Sequence, residues 1–216
     1  MPVLLTSFYD TLVNIINSPQ FQAFIKTFIP LFIVVDAFGD LPFVEIFSEG
    51  LERKDQLKLV NIAVLTGAIV GLVFLFFGKL LLTAMSISVG AFAIAGGIIL
   101  LILSINGLVK GQTIEFADEP RVAIVPLGTP LLVGPAVITA LLLLDVEFPN
   151  YLYIVLISFV LNLAIAWWIF MGNKRVIRVM GQGGVKAVSN VFNLLLAAIA
   201  VSYAINGLTL LGIIKS

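Results

Sequence analysis

Pro30-Leu-Phe-Ile-Val-Val-Asp36-Ala-Phe-Gly39-Asp40-Leu-Pro42-Phe-Val-Glu-Ile-Phe47 is the stretch from which the rest of the chain is read. Two carboxylates, Asp36 and Asp40, stand inside an apolar run, with Gly39 between them and Pro42 just after. A charge at the centre of a bilayer costs about 2.5–3.5 kcal/mol on insertion scales and on the order of ten in simulations. Gly and Pro interrupt a helix, and an interrupted helix at membrane depth lines a cavity rather than lipid. A segment that carries both burdens is a candidate functional site.

The composition around it is that of a membrane protein. The 216 residues are 61% hydrophobic and 11% charged, against about half and about a quarter in soluble domains. One core of this size cannot hide the excess. Lys+Arg and Asp+Glu balance at 12 each, so nothing points to nucleic acid. The chain has no Cys and no His, which removes disulfides, thiolate or imidazole chemistry and Cys/His metal sites. No cofactor and no enzymatic activity are expected. Residues 1–20 lack the basic start and small-residue cleavage site of a cleavable signal. Val3 to Ile16 reads as a short amphipathic helix at the interface.

A spanning helix needs roughly 20 apolar residues, and six stretches qualify. They run from about Phe21 to Phe47, Leu59 to Phe77, Ile87 to Val109, Val122 to Leu144, Tyr151 to Met171 and Ala187 to Ile214. Charged loops are expected at Ser48 to Lys58, Lys110 to Arg121 and Asn173 to Lys186, with turns at Gly78-Lys79 and Asp145 to Asn150. The first stretch contains the break described above. The fourth is broken too, by Pro126, Gly128, Thr129, Pro130, Gly134 and Pro135.

Lys and Arg set orientation. Loops one-two, three-four and five-six hold Arg53, Lys54, Lys58, Lys110, Arg121, Lys174, Arg175, Arg178 and Lys186, while the other face holds Lys26, Lys79 and Lys215. The first set is expected in the cytoplasm and both termini outside, in the cell membrane. The halves also repeat. At an offset of one hundred, Phe92 matches Phe192, and Ile105-Asn106-Gly107-Leu108 matches Ile205-Asn206-Gly207-Leu208. With three spans per half, 21–110 and 121–214 are related by inversion. Inverted repeats with paired discontinuous helices mark secondary transporters, with the site near the midplane at the repeat interface. The expected fold is therefore an all-α membrane domain of six transmembrane helices, with helices 1 and 4 discontinuous.

A half-helix that begins after a break offers free N–H groups and a positive dipole end to an anion. Pro42 and Pro135 suit the first helical position. The N–H groups of Phe43 and Val44 would then face those of Ala136 and Val137. Carbonyls ahead of each break suit an ammonium or a metal cation. A small zwitterion fits such a pocket, because Gly39, Gly128 and Gly134 leave backbone as its wall. The expected substrate-binding residues are Asp36, Phe38, Gly39, Asp40, Pro42, Phe43, Thr129, Gly134, Pro135 and Ala136. Two carboxylates so close in low dielectric are not both ionised without a cation, so Asp36 and Asp40 are also the expected groups for coupling to H+ or Na+. The plainer reading is that both carboxylates only cap the half-helix.

The remaining intramembrane polar residues read as packing. Asn61, Ser158, Asn162 and Asn193 suit hydrogen bonds between helices. Asn106-Gly107 and Asn206-Gly207 suit helix C-caps. Ala93, Gly96 and Gly97 suit a close helix contact, and Trp167 and Trp168 suit interfacial anchors.

Asp36-Ala-Phe-Gly-Asp-Leu-Pro42, Gly90-Ala-Phe-Ala-Ile-Ala-Gly-Gly-Ile-Ile-Leu100 and Val125-Pro-Leu-Gly-Thr-Pro-Leu-Leu-Val-Gly-Pro-Ala-Val-Ile-Thr139 together carry a resemblance. From about Phe21 to Leu211 the chain resembles the MarC family of bacterial and archaeal integral membrane proteins, some of whose archaeal members transport small neutral amino acids. The family pattern at the first break reads Asn-Pro-x-Gly-Asn-x-Pro. Here Asp36 and Asp40 replace Asn, and Ala37 replaces Pro, which adds two titratable groups. The resemblance implies amino acid transport, with glycine and alanine first. Two other classes compete. A passive channel or efflux pore would explain polar groups in the membrane but does not call for paired breaks. An intramembrane aspartyl protease would draw its two carboxylates from separate elements, not from one segment four residues apart.

Overall fold

The structure, a computed structural model, describes residues 13–14, 16–110 and 132–215. The expected interfacial helix falls almost wholly outside these residues. Pro126, Gly128, Thr129, Pro130 and the loop from 111 to 121 lie outside them too. Among the described residues there are seven α-helices, one 3-10 turn and no strand. Helix α1 is Pro19–Val35, α2 Leu41–Ser48, α3 Arg53–Ala84, α4 Val89–Lys110 and α5 Pro135–Glu147. The turn Pro149–Tyr151 leads into α6, Leu152–Met171, which is followed by α7, Asn173–Leu210. Four segments are long and apolar enough to cross a membrane: α3, Val89–Val109 of α4, Pro149–Met171 with α6, and α7. They are the second, third, fifth and sixth of the apolar stretches. Large apolar side chains such as Leu65, Phe76 and Leu80 on α3, Ile102 on α4 and Leu194 on α7 are exposed on the outer surface, as a lipid-facing surface requires.

Helix starts follow local rules. The Phe21 N–H donates to Ser18 Oγ at 3.3 Å, and Pro19 occupies the first turn of α1, where its missing N–H costs nothing. The Ala91 N–H donates to Ser88 Oγ at 3.1 Å ahead of α4.

Several boundaries differ from those expected. The second span does not end at Gly78-Lys79; α3 runs through both to Ala84. Gly78 lacks a side chain because Leu142 of α5 fills the space beside it. The chain turns at Met85 to Ser88, where Ser86 takes a left-handed conformation. Only 49–52 of the first charged loop are non-helical. The basic loop from Asn173 is helical as well, because α7 begins there and is kinked at Gly181 (φ 68°). Ahead of the kink, Val176, Ile177 and Met180 pack on the core while Lys174, Arg175 and Arg178 stay exposed. That division is amphipathic, so the charges mark one face of a helix rather than a loop.

Helices α4 and α7 pack against each other more extensively than any other pair. They run antiparallel. A β-carbon on Gly90 would meet the Gly207 carbonyl oxygen, one on Gly97 the Ala200 carbonyl oxygen, and one on Gly107 the Asn193 side chain. The Asn-Gly pairs are therefore not caps: both lie inside helices, and their glycines are points of close approach. Gly96 receives Thr139 of α5, so the small-residue stripe of α4 serves two neighbours. Helix α1 packs on α6, where Thr27 and Ser158 hydroxyls lie 2.7 Å apart. Asn162 Nδ2 donates to the carbonyls of Phe28 and Ser158. This is polar contact between helices, as expected for Ser158 and Asn162.

Two contacts fix which helix ends share a side. Lys79, near the end of α3, pairs with Asp145, near the end of α5, at 2.6 Å. Arg53, at the start of α3, donates to the Met171 carbonyl at 3.0 Å at the end of α6.

Gly97→Val places its β-carbon 2.6 Å from the Ala200 carbonyl oxygen. The expected outcome is a loss of about 1–3 kcal/mol, read by thermal unfolding in detergent. Gly183→Ala meets nothing within 4 Å and serves as the control. Equal melting of the two variants would contradict the packing of α4 on α7.

Candidate functional site

The first break is built by its own residues. Asp36 ends α1 in a left-handed conformation (φ 40°, ψ 53°). Its Oδ1 accepts the Gly39 N–H at 3.0 Å, and its carbonyl accepts the Asp40 N–H at 3.1 Å. The Phe38 carbonyl accepts the Leu41 N–H at 3.3 Å. The Asp40 carbonyl accepts the N–H groups of Phe43 and Val44, each at 3.1 Å. Pro42 has no N–H. Every backbone donor from 39 to 44 is thus engaged.

This corrects the expectation that Phe43 and Val44 present free donors. Asp40 has helical dihedrals (φ −79°, ψ −12°) at the position ahead of α2, so the hydrogen-bond ladder extends back to its carbonyl. The acceptor side is different. Among the described residues, 37–40 donate no backbone bond to the last turn of α1. That turn therefore presents the negative end of the α1 dipole at the break. Asp36 and Asp40 are each only 8% exposed. Neither side chain caps α2: Asp36 Oδ1 holds the Gly39 N–H in the turn ahead of that helix, and the Asp40 side chain makes no cap bond. Asp40 Oδ2 is buried with no hydrogen-bond partner. Two buried carboxylates beside a helix C-terminus attract a cation rather than an anion.

Of the second expected break, only the part from Leu132 onward lies among the described residues, and it has the opposite character. Leu132 and Val133 are buried ahead of Gly134, which stands before α5 with extended dihedrals (φ −84°, ψ −173°), and Pro135 opens the helix. The Ile138 N–H donates to the Gly134 carbonyl at 3.1 Å. The N–H groups of Ala136 and Val137 find no acceptor among the described residues. Thr139 turns its hydroxyl back to the Pro135 carbonyl at 2.8 Å and fills the notch at Gly96, so it is occupied in packing.

The two breaks belong to one core. Val35, Ala37, Leu41 and Val44 share a buried cluster with Leu132, Val133 and Val137, and α5 packs on α1. Of the expected site residues, Asp36, Gly39, Asp40 and Phe43 are buried together in the first break, and Phe38 and Pro42 are half-buried. Gly134 is buried, Ala136 half-buried and Pro135 exposed; Thr129 lies outside the described residues.

Two features were missed. Phe38 meets Phe192 of α7 edge-on at 5.9 Å, and Phe192 meets Phe32 at 5.6 Å. Its match to Phe92 across the repeat marked Phe192, but nothing in the sequence tied it to the break. A cavity of about 880 Å³ also runs from Phe38 to Arg53, Lys174 and Arg175. The basic segment that borders it reads as solvated loop in the sequence.

Comparison with known proteins gives one family. The model described as MarC family integral membrane protein matches residues 21–211. The chain is 32% identical over 198 residues to a UPF0056 membrane protein of Methanocaldococcus jannaschii, covering 87% of this chain and 96% of that protein. It is 28% identical over 183 residues to the UPF0056 inner membrane protein YhgN of Escherichia coli (82% and 92% covered). It is 27% identical over 200 residues to a UPF0056 membrane protein of Buchnera aphidicola (86% and 91% covered). No solved structure matches.

The unequal surroundings of the two carboxylates are testable by thermal unfolding. Asp36→Ala removes the acceptor of the Gly39 N–H and places Ala at positive φ, and is expected to cost about 1–2 kcal/mol. Asp36→Asn keeps an acceptor oxygen and is expected to lose less. Asp40→Asn is expected to leave stability unchanged or raised, because it removes a buried charge with no partner. A loss at Asp40 as large as that of Asp36→Ala would show that Asp40 holds the break together.

Proposed function

Because the chain belongs to the MarC family of integral membrane proteins, we propose that it is a secondary carrier of small neutral amino acids, glycine and alanine first, driven by H+ or Na+. The observation that carries this reading is the first helix break, with a partnerless carboxylate, buried in one core with the residues that open α5. The substrate ammonium or the coupling ion sits at Asp40 and the carbonyl end of α1. The substrate carboxylate sits at the N–H groups of Ala136 and Val137. The zwitterion is thus divided between the breaks, one half to each, instead of meeting two alike.

The reading includes six crossings in two inverted halves, 21–110 and 121–214. The seam between α4 and α7 supports it. Shifting residue numbers by one hundred turns the contact of Gly90 with Gly207 into one of residue 107 with residue 190. Gly107 lies against Asn193, one turn away from residue 190. The pairing of α1 with α6 likewise corresponds to that of α5 with α3. Lys79 and Asp145 on one side, and Arg53 and Met171 on the other, fit this alternation. The excess of Lys and Arg places the Arg53 side in the cytoplasm and both termini outside.

The test is glycine transport in proteoliposomes, with proton and sodium gradients imposed separately. At one proton per substrate, a one-unit pH gradient supports about tenfold accumulation. Asp40→Asn is expected to abolish gradient-driven accumulation while keeping exchange. Gly134→Val is expected to abolish glycine binding in a folded protein, since Gly134 has extended dihedrals open to any residue. Phenylalanine is expected to be excluded by size. Flux that neither saturates nor exchanges would make the chain a pore. No glycine movement at all would remove the amino acid assignment.

A further inference from the structure

The cavity of about 880 Å³ has a mixed lining. Arg53, Lys174 and Arg175 line it from the starts of α3 and α7. None of the three pairs with a carboxylate among the described residues. Most of the remaining wall is apolar, with Trp168, Val179 and Met180 among its residues. Trp168 is 76% exposed and Val179 79% exposed, so this wall is open to the surroundings of the helix bundle. Phe38 lines the cavity too and is braced edge-on by Phe192.

Unpaired cations and an open apolar wall suit an amphiphile with an anionic head. A small zwitterion has no use for three cations, and a soluble anion has none for the exposed Trp168 and Val179. We propose that the cavity seats an anionic phospholipid, its phosphate on Arg53, Lys174 and Arg175 and its acyl chains along Trp168, Val179 and Met180. The lipid enters from the leaflet on the basic side. A charged leaflet attracts Lys and Arg near its surface, and a tryptophan at headgroup depth is an interfacial anchor. The cavity touches the first break at Phe38 but is not lined by Asp36 or Asp40, and the lipid reading stands whether or not the chain carries amino acids.

The experiment is native mass spectrometry of the full chain in neutral detergent, titrated with phosphatidylglycerol, phosphatidylcholine or inorganic phosphate. Phosphatidylglycerol is expected to be retained in preference to phosphatidylcholine, and inorganic phosphate is expected neither to bind detectably nor to displace it. Lys174→Gln with Arg175→Gln is expected to weaken phosphatidylglycerol about 30-fold and leave phosphatidylcholine unchanged. Both side chains are exposed, and elution as a single species on size exclusion checks that the variant folds. Trp168→Ala is expected to weaken both lipids. Equal retention of the two lipids, or an unchanged affinity in the double variant, would overturn the proposal. Binding of inorganic phosphate in place of lipid would overturn the lipid source.

Discussion

In hydrocarbon, a backbone N–H or C=O without a partner costs several kcal/mol, and the first break exists only because it meets that requirement from within. Asp36 supplies both acceptors for the donors at Gly39 and Asp40, one from its side chain and one from its carbonyl. Asp40 supplies the acceptor for Phe43 and Val44. Pro42 removes a donor that would otherwise need a partner. Five residues, 36–40, stand between α1 and α2 and leave no orphan N–H from 39 to 44. At the carboxylate end of the break, the last turn of α1 accepts nothing from 37–40, and Asp40 Oδ2 has no donor among the described residues.

The second break solves the same problem less completely. Pro135 removes one donor, and Ala136 and Val137 keep theirs without an acceptor among the described residues. Thr139, the hydroxyl nearest to them along the helix, is directed backwards to Pro135 and pressed into the notch at Gly96. The start of α5 therefore differs in sign from the first break, although Gly and Pro mark both.

Much of this was legible beforehand. The membrane class follows from composition, and the breaks follow from Gly39, Pro42, Gly134 and Pro135, because these residue types act through their own backbone. The close approach of α4 was legible in Ala93, Gly96 and Gly97 for the same reason. Three things were not. Free donors at Phe43 and Val44 were inferred from a break alone, whereas the dihedrals of Asp40 decide the matter and leave no trace in residue type. Gly78 reads as a turn in sequence, yet it lies inside a helix because Leu142 from another segment needs the space. The charges after Asn173 read as a loop, because the half-buried positions Val176, Ile177 and Met180 are set by tertiary packing. Local chemistry was readable; whatever depended on a neighbour distant in sequence was not.

The seam between α4 and α7 has a mechanical consequence. At Gly90, Gly97 and Gly207 the two backbones lie within reach of a single missing β-carbon. At Gly97 the facing atoms are the Ala200 carbonyl oxygen and the nitrogen and β-carbon of Ala204, with no long side chain there to change rotamer. A slide of one helix along the other would drive glycine backbone into the alanine β-carbons of the next turn. The pair therefore behaves as one beam, and any rocking of the molecule must take its slack from contacts padded by flexible side chains, such as the edge-on phenylalanines Phe32 and Phe192 between α1 and α7.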